Sequence, residues 1–180
     1  MKSKFSRSTT LGITLALAAA GPAAAHPATN PPASASASQL QAAKAATAKY
    51  RSVKRAKKDG YVRRSGCVSS PEGVMGFHYV NQRLAGDPKI HAKRPEILLY
   101  ARTDDGKLRL VGVEYWRAAA DQEPPIDNSD APRLFGRAFD GPMEGHSPGT
   151  PHHYDLHVWL WSANPDGMFA RFNPSLRCPA

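Results

Sequence analysis

The sequence has 180 residues, a net charge of +9 and two cysteines, and this length suits one domain with a substantial core. The charge is concentrated in residues 44–64, which hold nine lysines and arginines and one acidic residue, whereas residues 65–180 hold twelve against fourteen. Because few aromatic residues accompany the basic segment, the composition argues against a nucleic-acid-binding protein. We expect at most a weak attraction of this segment to acidic polymers of a cell envelope.

The N-terminus is typical of a secretory signal peptide. Basic residues at positions 2, 4 and 7 precede the apolar run Leu11–Ala20, and small residues follow up to Ala25, where we expect cleavage. The apolar run has ten residues, whereas a helix needs about 20 residues to span a bilayer. We therefore predict that residues 1–25 are a signal peptide, and that the protein is secreted to the cell envelope or the extracellular space without a membrane span.

The next segment, residues 26–37, is rich in Pro, Ala and Ser, which is typical of an extended or disordered linker. Residues 38–180 are predicted to form a single domain that begins with a helix over residues 39–59. Ser38 begins a capping-box sequence at the start of this helix, and Gly60 is a stop signal at its end.

Four later segments have the composition of β-strands, namely residues 76–80, 96–101, 107–116 and 154–161. The second and third segments flank the sequence RTDDG, whose Asp-Gly pair favours a hairpin turn. Residues 168–172 are predicted to pair with the last segment as a second hairpin. The expected fold class is α+β, with one N-terminal helix packed on a mainly antiparallel β-sheet.

Cys67 and Cys178 are the only cysteines in the sequence. In an exported protein, two cysteines form a disulfide more often than they remain as thiols. This disulfide would close a loop of about 110 residues and stabilise the fold by roughly 4–5 kcal/mol in the chain-entropy description. We therefore predict a structural disulfide and no cysteine nucleophile.

The segment HHYDLHVWLW, residues 152–161, combines three histidines, an aspartate and two tryptophans. Alternate side chains of a strand share one face. The face predicted to lie in the core under the helix carries Tyr154, Leu156, Val158 and Leu160. The opposite face carries Asp155, His157, Trp159 and Trp161. This second set suits the lining of a pocket, because covered imidazole and indole groups need polar partners.

The strand at residues 107–116 places a carboxylate among apolar neighbours. Its alternation assigns one face to Val111, Val113 and Tyr115. The other face carries Leu110, Gly112, Glu114 and Trp116. A buried Glu114 must be paired, hydrogen-bonded or bound to a cation, because burying an isolated carboxylate is too costly. His78, in the apolar segment GFHYV, is a similar polar residue.

These polar residues lead to the hypothesis of a metal site. The predicted ligands of one transition metal ion are His78, Glu114 and His157, with Asp155 or His153. Imidazole and carboxylate ligands favour Zn, Fe or Mn over an ion that prefers thiolates. His153 and His157 would be about 13 Å apart in a regular strand, so His153 can join only if the chain bends before it. The surrounding ligand pocket is predicted to contain Trp116, His146, Trp159 and Trp161.

Two alternatives stay open from the sequence. In the first, the polar residues are structural pairs, His78 with Glu114 and Asp155 with Arg171, in a non-catalytic envelope or ligand-binding protein with a Trp-lined surface. In the second, Glu114 or Asp155 forms a metal-free acid–base site with a histidine. The sequence has no serine in a nucleophile-elbow context and no glycine-rich phosphate loop. The expected function is that of an exported protein that binds a transition metal or a small ligand, with metal-dependent catalysis as one form of it.

Five segments resemble a group of exported bacterial proteins with no established activity. They are MGFHYVN (75–81), RPEILLY (94–100), LVGVEY (110–115), LFGRAFDGPMEGH (134–146) and HYDLHVWLWSANPDGMFARFNP (153–174). The resemblance extends over roughly residues 40–178. It implies an exported protein and no particular mechanism.

Overall fold

A computed structural model of the protein describes residues 33–124, 126–145 and 149–179. The predicted signal peptide, residues 26–32 of the predicted linker and His146 lie outside the described residues. Within the described ranges, none of the helices combines the length and the apolar character that a membrane crossing requires.

The N-terminal helical region consists of two helices and a 3₁₀ turn. Helix α1 (Ala33–Thr47) continues into the 3₁₀ turn (Ala48–Arg51), and α2 (Val53–Lys58) follows. Ser52 separates them with an extended backbone (φ −90°, ψ 109°), and its side chain accepts a hydrogen bond from the Arg55 N–H as an N-cap. The prediction of one continuous helix is therefore wrong, and α1 begins inside the segment predicted as a linker.

Eight strands in the described ranges form one six-stranded sheet and one two-stranded ribbon. They are β1 (Val62–Ser70), β2 (Gly73–Val80), β3 (Ile97–Arg102), β4 (Leu108–Ala118), β5 (Arg133–Leu134), β6 (Arg137–Ala138), β7 (Asp140–Met143) and β8 (His153–Val158). The main sheet has the order β1-β2-β3-β4-β8-β7, and all its neighbouring strands are antiparallel. A short helix, α3 (Gln82–Ala85), follows β2. This architecture confirms the predicted α+β fold class of one small domain.

The two predicted hairpins have different outcomes. Strands β3 and β4 pair around the RTDDG turn, as predicted. The prediction of the second hairpin is wrong, because β8 pairs with β4 and β7 and residues 168–172 form no strand. These residues contact the end of β8 through a backbone hydrogen bond from the Trp159 N–H to the Met168 carbonyl (2.9 Å). Strand β1 was not predicted, because its mostly polar sequence, VRRSGCVSS, lacks the apolar alternation of a buried strand. This sequence suits the position of β1 at the edge of the sheet.

Apolar side chains cover both faces of the sheet. The face that packs on the helices carries, among others, Phe77, Tyr79, Leu98, Tyr100, Val113 and Tyr115. Tyr154, Leu156, Val158 and Leu160 belong to the same cluster, which confirms the predicted core face of β8. The opposite face carries Val74, Ile97, Leu99, Ala101, Val111 and Trp159. Helices α1 and α2 pack on the first face, whereas the polar site lies on the second face, where Gln82 and Ala85 of α3 line the same cavity.

A β-bulge changes the predicted faces of β4. Pairing with β3 passes from Leu110 directly to Gly112, so Val111 has no opposite residue. Leu110 consequently lies on the helix face and Val111 on the opposite face, the reverse of the prediction. Beyond the bulge the alternation follows the prediction, and Glu114 and Trp116 both point away from the helices.

The C-terminal segment is tied to the sheet by a covalent bond and by backbone hydrogen bonds. Cys67 and Cys178 form the predicted disulfide across 111 residues of sequence, with their Cα atoms 5.7 Å apart. Val74 and Asn173 exchange two backbone hydrogen bonds of 3.1 Å each. The chain between Asn173 and Cys178 is therefore held beside β1 and β2, and Leu176 packs on the side of the sheet away from α1 and α2.

Candidate metal centre

The sheet register brings three ligating side chains together on the face away from the helices. Glu114 of β4 lies directly opposite His157 of β8. His78 is on β2, and its ring reaches Glu114 across the intervening strand β3. One nitrogen or oxygen atom from each of these side chains lies within 4.8 Å of the other two. We call these three residues the His78–Glu114–His157 group.

Glu114 Oε2 is the atom that both imidazoles approach. It lies 3.3 Å from His78 Nε2 and 3.6 Å from His157 Nε2. Ligand atoms that bind one tetrahedral zinc ion at about 2.1 Å are about 3.4 Å from each other. The two observed distances bracket that value, and all three ligand atoms lie within 4.8 Å of one another, so the group could close around one ion if its side chains move.

A hydrogen-bond network with Ser65 orients the His78 ring. The Ser65 hydroxyl donates to the Gly66 carbonyl (2.7 Å) and accepts from the backbone N–H of His78 (3.0 Å). Since its single proton is then used, the 3.0 Å contact between Ser65 Oγ and His78 Nδ1 assigns the ring proton to Nδ1, which donates. In the neutral form of the ring, Nε2 then carries a lone pair and lies 3.3 Å from Glu114 Oε2. A cation between these two acceptors would relieve their repulsion.

Asp155 lies behind the His157 ring. Asp155 Oδ1 is 3.5 Å from His157 Nδ1, whereas the other ring nitrogen, Nε2, is the one near Glu114. Ligating histidines commonly direct their second nitrogen at a carboxylate, which sets the tautomer and raises the basicity of the ligand. Asp155 is outside the group of mutually close ligand atoms. The structure therefore places Asp155 next to His157 and outside the His78–Glu114–His157 group.

Several buried polar atoms of the site have no hydrogen-bond partner among the described residues. They are Glu114 Oε2, Asp155 Oδ1 and both ring nitrogens of His157. The side chains are inaccessible, since Glu114 is 5% exposed and His157 is 1% exposed. Each unmatched buried polar atom costs about 1–3 kcal/mol, and native proteins rarely concentrate several in one place. Their concentration is consistent with a site that could hold a cation.

The charges within the site keep Glu114 in its ligating form. Burial alone raises the pKa of the Glu114 carboxyl, but His157, His78 and His153 outweigh burial and hold this pKa below its ordinary value. Burial lowers the pKa of His157, whereas Glu114 and Asp155 raise it, with a net upward shift. Glu114 is therefore ionised at neutral pH, as a metal ligand must be.

His153 and Trp116 lie beside the His78–Glu114–His157 group. The His153 ring stacks on Trp116 with 5.6 Å between ring centroids, and its Nδ1–H donates to the Pro151 carbonyl (3.1 Å). Both side chains line the same cavity as the group. His153 is not among the mutually close ligand atoms, so the structure places it next to the predicted metal site.

The structure corrects the predicted pocket lining at Trp159 and Trp161. Trp159 is packed in the apolar cluster of its face, and its indole N–H donates to the Ala170 carbonyl (2.6 Å). Trp161 lies on the helix side, where its indole N–H donates to Thr47 Oγ1 (3.3 Å). The alternation that predicted a shared face for the two tryptophans ends with β8 at Val158, where the chain turns.

The His78–Glu114–His157 group forms part of the wall of a cavity of about 1030 Å³. This volume is at the upper end of the range for small-molecule sites, which is roughly 300–1,000 Å³. The group is therefore placed where a bound ion can meet a molecule in the cavity.

Arg64 and Ser65 also line this cavity, and neither was predicted from the sequence. Arg64 and Ser65 belong to β1, whose polar pattern gave no strand signal. Arg171 was considered as a partner of Asp155, but its Nη2 contacts Met143 Sδ (3.1 Å), and no ion pair joins Arg171 to Asp155. The other structural pair from that alternative, His78 with Glu114, is present.

Comparisons with known proteins do not extend this description. The chain matches no protein-family model, and no curated protein or solved structure is significantly similar to it. The resemblance to exported bacterial proteins therefore stays a prediction.

Proposed function

We propose that this protein binds one divalent transition metal ion through His78 Nε2, Glu114 Oε2 and His157 Nε2. The observation that carries this proposal is the grouping of these three atoms in a buried site, where Glu114 Oε2 and His157 Nε2 have no hydrogen-bond partner among the described residues. Two imidazoles and one carboxylate favour Zn, Fe or Mn.

The number of ligands supports a role in binding or activating a small molecule. Structural zinc sites surround the ion with four protein ligands, whereas catalytic sites use three and keep one position open. The His78–Glu114–His157 group supplies three ligands and borders a cavity. A metal-dependent enzyme is therefore the specific form of this function that we propose.

We also propose that the protein works outside the cytoplasm. The Cys67–Cys178 disulfide supports this location, because disulfides persist mainly in oxidising compartments. The N-terminal sequence adds support, since it has the basic, apolar and small-residue order of a secretory signal.

The metal proposal is tested by elemental analysis of the protein after purification and after incubation with Zn, Fe(II), Mn and Cu followed by desalting. We expect about one equivalent of metal per chain, lost in Glu114→Gln and His157→Ala because each variant removes one of only three ligands. His91→Ala is the matched control, since His91 is an exposed histidine outside the cavity lining.

The alternative explanation is an ion pair between Glu114 and protonated histidines with no metal. A folded wild-type protein that retains none of the four metals would establish that alternative and exclude our proposal. Circular dichroism of each variant separates the loss of a ligand from the loss of the fold.

A further inference from the structure

The cavity carries positive charge that the metal group does not balance, and this charge indicates which molecules bind there. This inference rests on the proposed metal site. The lining includes the carboxylates of Glu114 and Asp155 and the guanidinium groups of Arg64 and Arg171. Two carboxylates balance the charge of one divalent ion. The charges of both arginines then have no counterpart in the described lining.

Neither arginine has an acidic partner among the described residues. Arg171 directs Nη2 at the thioether sulfur of Met143 (3.1 Å), which is a weak acceptor. The Arg64 side chain makes no hydrogen bond or ion pair with another described residue. Arg117 differs from these two arginines, because its Nη2 forms an ion pair with Asp130 Oδ2 at 3.0 Å. The two guanidinium groups are therefore available to a ligand.

Arg171 lines the same cavity as Glu114 and His157. A guanidinium group presents paired N–H donors that match the two oxygens of a carboxylate. An anion bound to the ion beside His157 would therefore lie near a suitable cationic donor.

The rest of the cavity favours an organic ligand over a simple inorganic ion. Its apolar lining residues include Val68, Met75, Val80, Ile97 and Phe172. Burial of an apolar group against such walls contributes about 25 cal/mol per Å² of surface removed from water. An inorganic anion gains nothing from this surface.

We propose that the cavity binds a small organic carboxylate with an apolar body. The carboxylate takes the open position of the metal ion and a hydrogen bond from Arg171, Arg64 adds positive charge to the lining, and the apolar body packs on the apolar wall. This assignment names a substrate class for the proposed metal-dependent enzyme.

The test uses the zinc-loaded protein and isothermal titration calorimetry with four probes. Phenylacetate carries both features, acetate lacks the apolar body, phenylacetamide lacks the charge, and inorganic phosphate is an anion of another class. We expect phenylacetate to bind at least about tenfold more tightly than acetate or phenylacetamide, because each lacks one contribution. Tighter binding of phosphate than of phenylacetate would overturn the assignment to carboxylates.

Arginine variants test the residues. We expect Arg171→Gln to weaken phenylacetate binding about tenfold or more, and Arg64→Gln to weaken it by a smaller factor. Arg109→Gln is the matched control, because Arg109 is exposed on β4 and outside the cavity lining. The exposed position of Arg64 makes its variant a usable test even where Arg171→Gln does not fold.

Metal content measured on the same samples separates the two proposals. Retained zinc with equal affinity for phenylacetate and phenylacetamide overturns the carboxylate inference and leaves the metal proposal standing. Failure of the folded protein to retain any metal overturns the metal proposal and, with it, this inference.

Discussion

At the scale of single residues, each imidazole of the polar site lies between two polar side chains. The Nδ1 atom of His78 is near Ser65 and its Nε2 atom is near Glu114. The Nδ1 atom of His157 is near Asp155 and its Nε2 atom is near Glu114. Each ring thus has one nitrogen near a group that orients it and the other near the shared carboxylate. In metal sites, the ring nitrogen of a histidine that does not bind the ion commonly contacts a polar group in the same way, and this contact orients the ring.

The Asp155→Asn variant tests the positioning role of Asp155. We expect it to weaken zinc affinity about 10- to 100-fold, because the carboxylate no longer orients His157 or raises its basicity. The measurement is a competition titration with a chelator of known affinity, with denaturation to check stability. Asp104→Asn, at an exposed turn position, is the control and should retain wild-type affinity. Equal zinc affinities of Asp155→Asn and Asp104→Asn would show that Asp155 does not contribute to metal binding.

Glu96 provides a test that depends on pH and not on metal. Its side chain is 1% exposed, and Oε2 accepts a hydrogen bond from the Trp116 N–H (3.1 Å). Burial raises the pKa of Glu96 from 4.5 to about 8, against the opposing effect of that bond. The folded state therefore holds the proton more tightly, so the stabilising contribution is complete below pH 4.5 and is lost as the pH rises through about 8.

We accordingly expect the free energy of unfolding of the wild type, relative to Glu96→Gln, to decrease between pH 5 and pH 9. Gln keeps an acceptor for the Trp116 N–H but cannot ionise. Urea denaturation of both proteins at several pH values measures the difference. Parallel pH profiles would show that Glu96 is not protonated in the folded protein.

At the scale of elements, irregular positions in the strands determine which side chains meet. Gly76 of β2 has φ +95°, and a Cβ atom there would lie 2.3 Å from the carbonyl oxygen of Tyr100. The bulge at Val111 exchanges the sheet faces on which Leu110 and Val111 lie. In the part of β4 that follows the bulge, Glu114 pairs with His157 of β8. Close backbone approach and local kinks therefore align the three strands that carry the metal group.

The Gly76→Ala variant tests this close approach. We expect a loss of stability of more than about 2 kcal/mol, because both the positive φ and the clash with a neighbouring strand oppose a side chain. Gly106→Ala is the matched control, since Gly106 also has a positive φ (+77°) but nothing lies within 4 Å of its Cβ position. It should lose only about 1 kcal/mol. Equal losses in chemical denaturation would mean that the clash is relieved by movement of β3.

At the scale of the whole molecule, the disulfide and the three residues of the metal group lie on different strands. The disulfide joins the edge strand β1 to the C-terminal segment, whereas the ligands are on β2, β4 and β8. The Cys67→Ser/Cys178→Ser double variant should lose roughly 4–5 kcal/mol of stability, since the unfolded chain regains the entropy of a long loop.

Thermal denaturation of the oxidised wild type, the reduced wild type and the double variant measures this effect. The melting temperatures of the reduced wild type and the double variant should agree with each other and lie well below that of the oxidised wild type. We expect the folded double variant to retain metal, because no ligand is on the cross-linked segments. A stability equal to that of the oxidised protein would contradict the entropic role of the bond.

Features that depend on neighbouring residues in the chain were predictable from the sequence. Alternation over β8 predicted that His157 and Asp155 share a face opposite Leu156 and Val158, because successive side chains of a strand alternate. The Asp-Gly turn predicted the β3–β4 hairpin for an equally local reason. The pairing of the two cysteines followed from their number and from expected export.

Only the tertiary structure decided which of these elements meet and in what register. It placed β8 beside β4 with Glu114 opposite His157, brought Ser65 Oγ within 3.0 Å of His78 Nδ1, and left Asp155 beside His157 and outside the His78–Glu114–His157 group. It also turned Trp161 to the helix side, because β8 ends before the alternation in the sequence does. The sequence by itself determined the α+β class and the residue types of the site. Register, bulges and strand ends depend on packing between distant segments, which local periodicity does not encode.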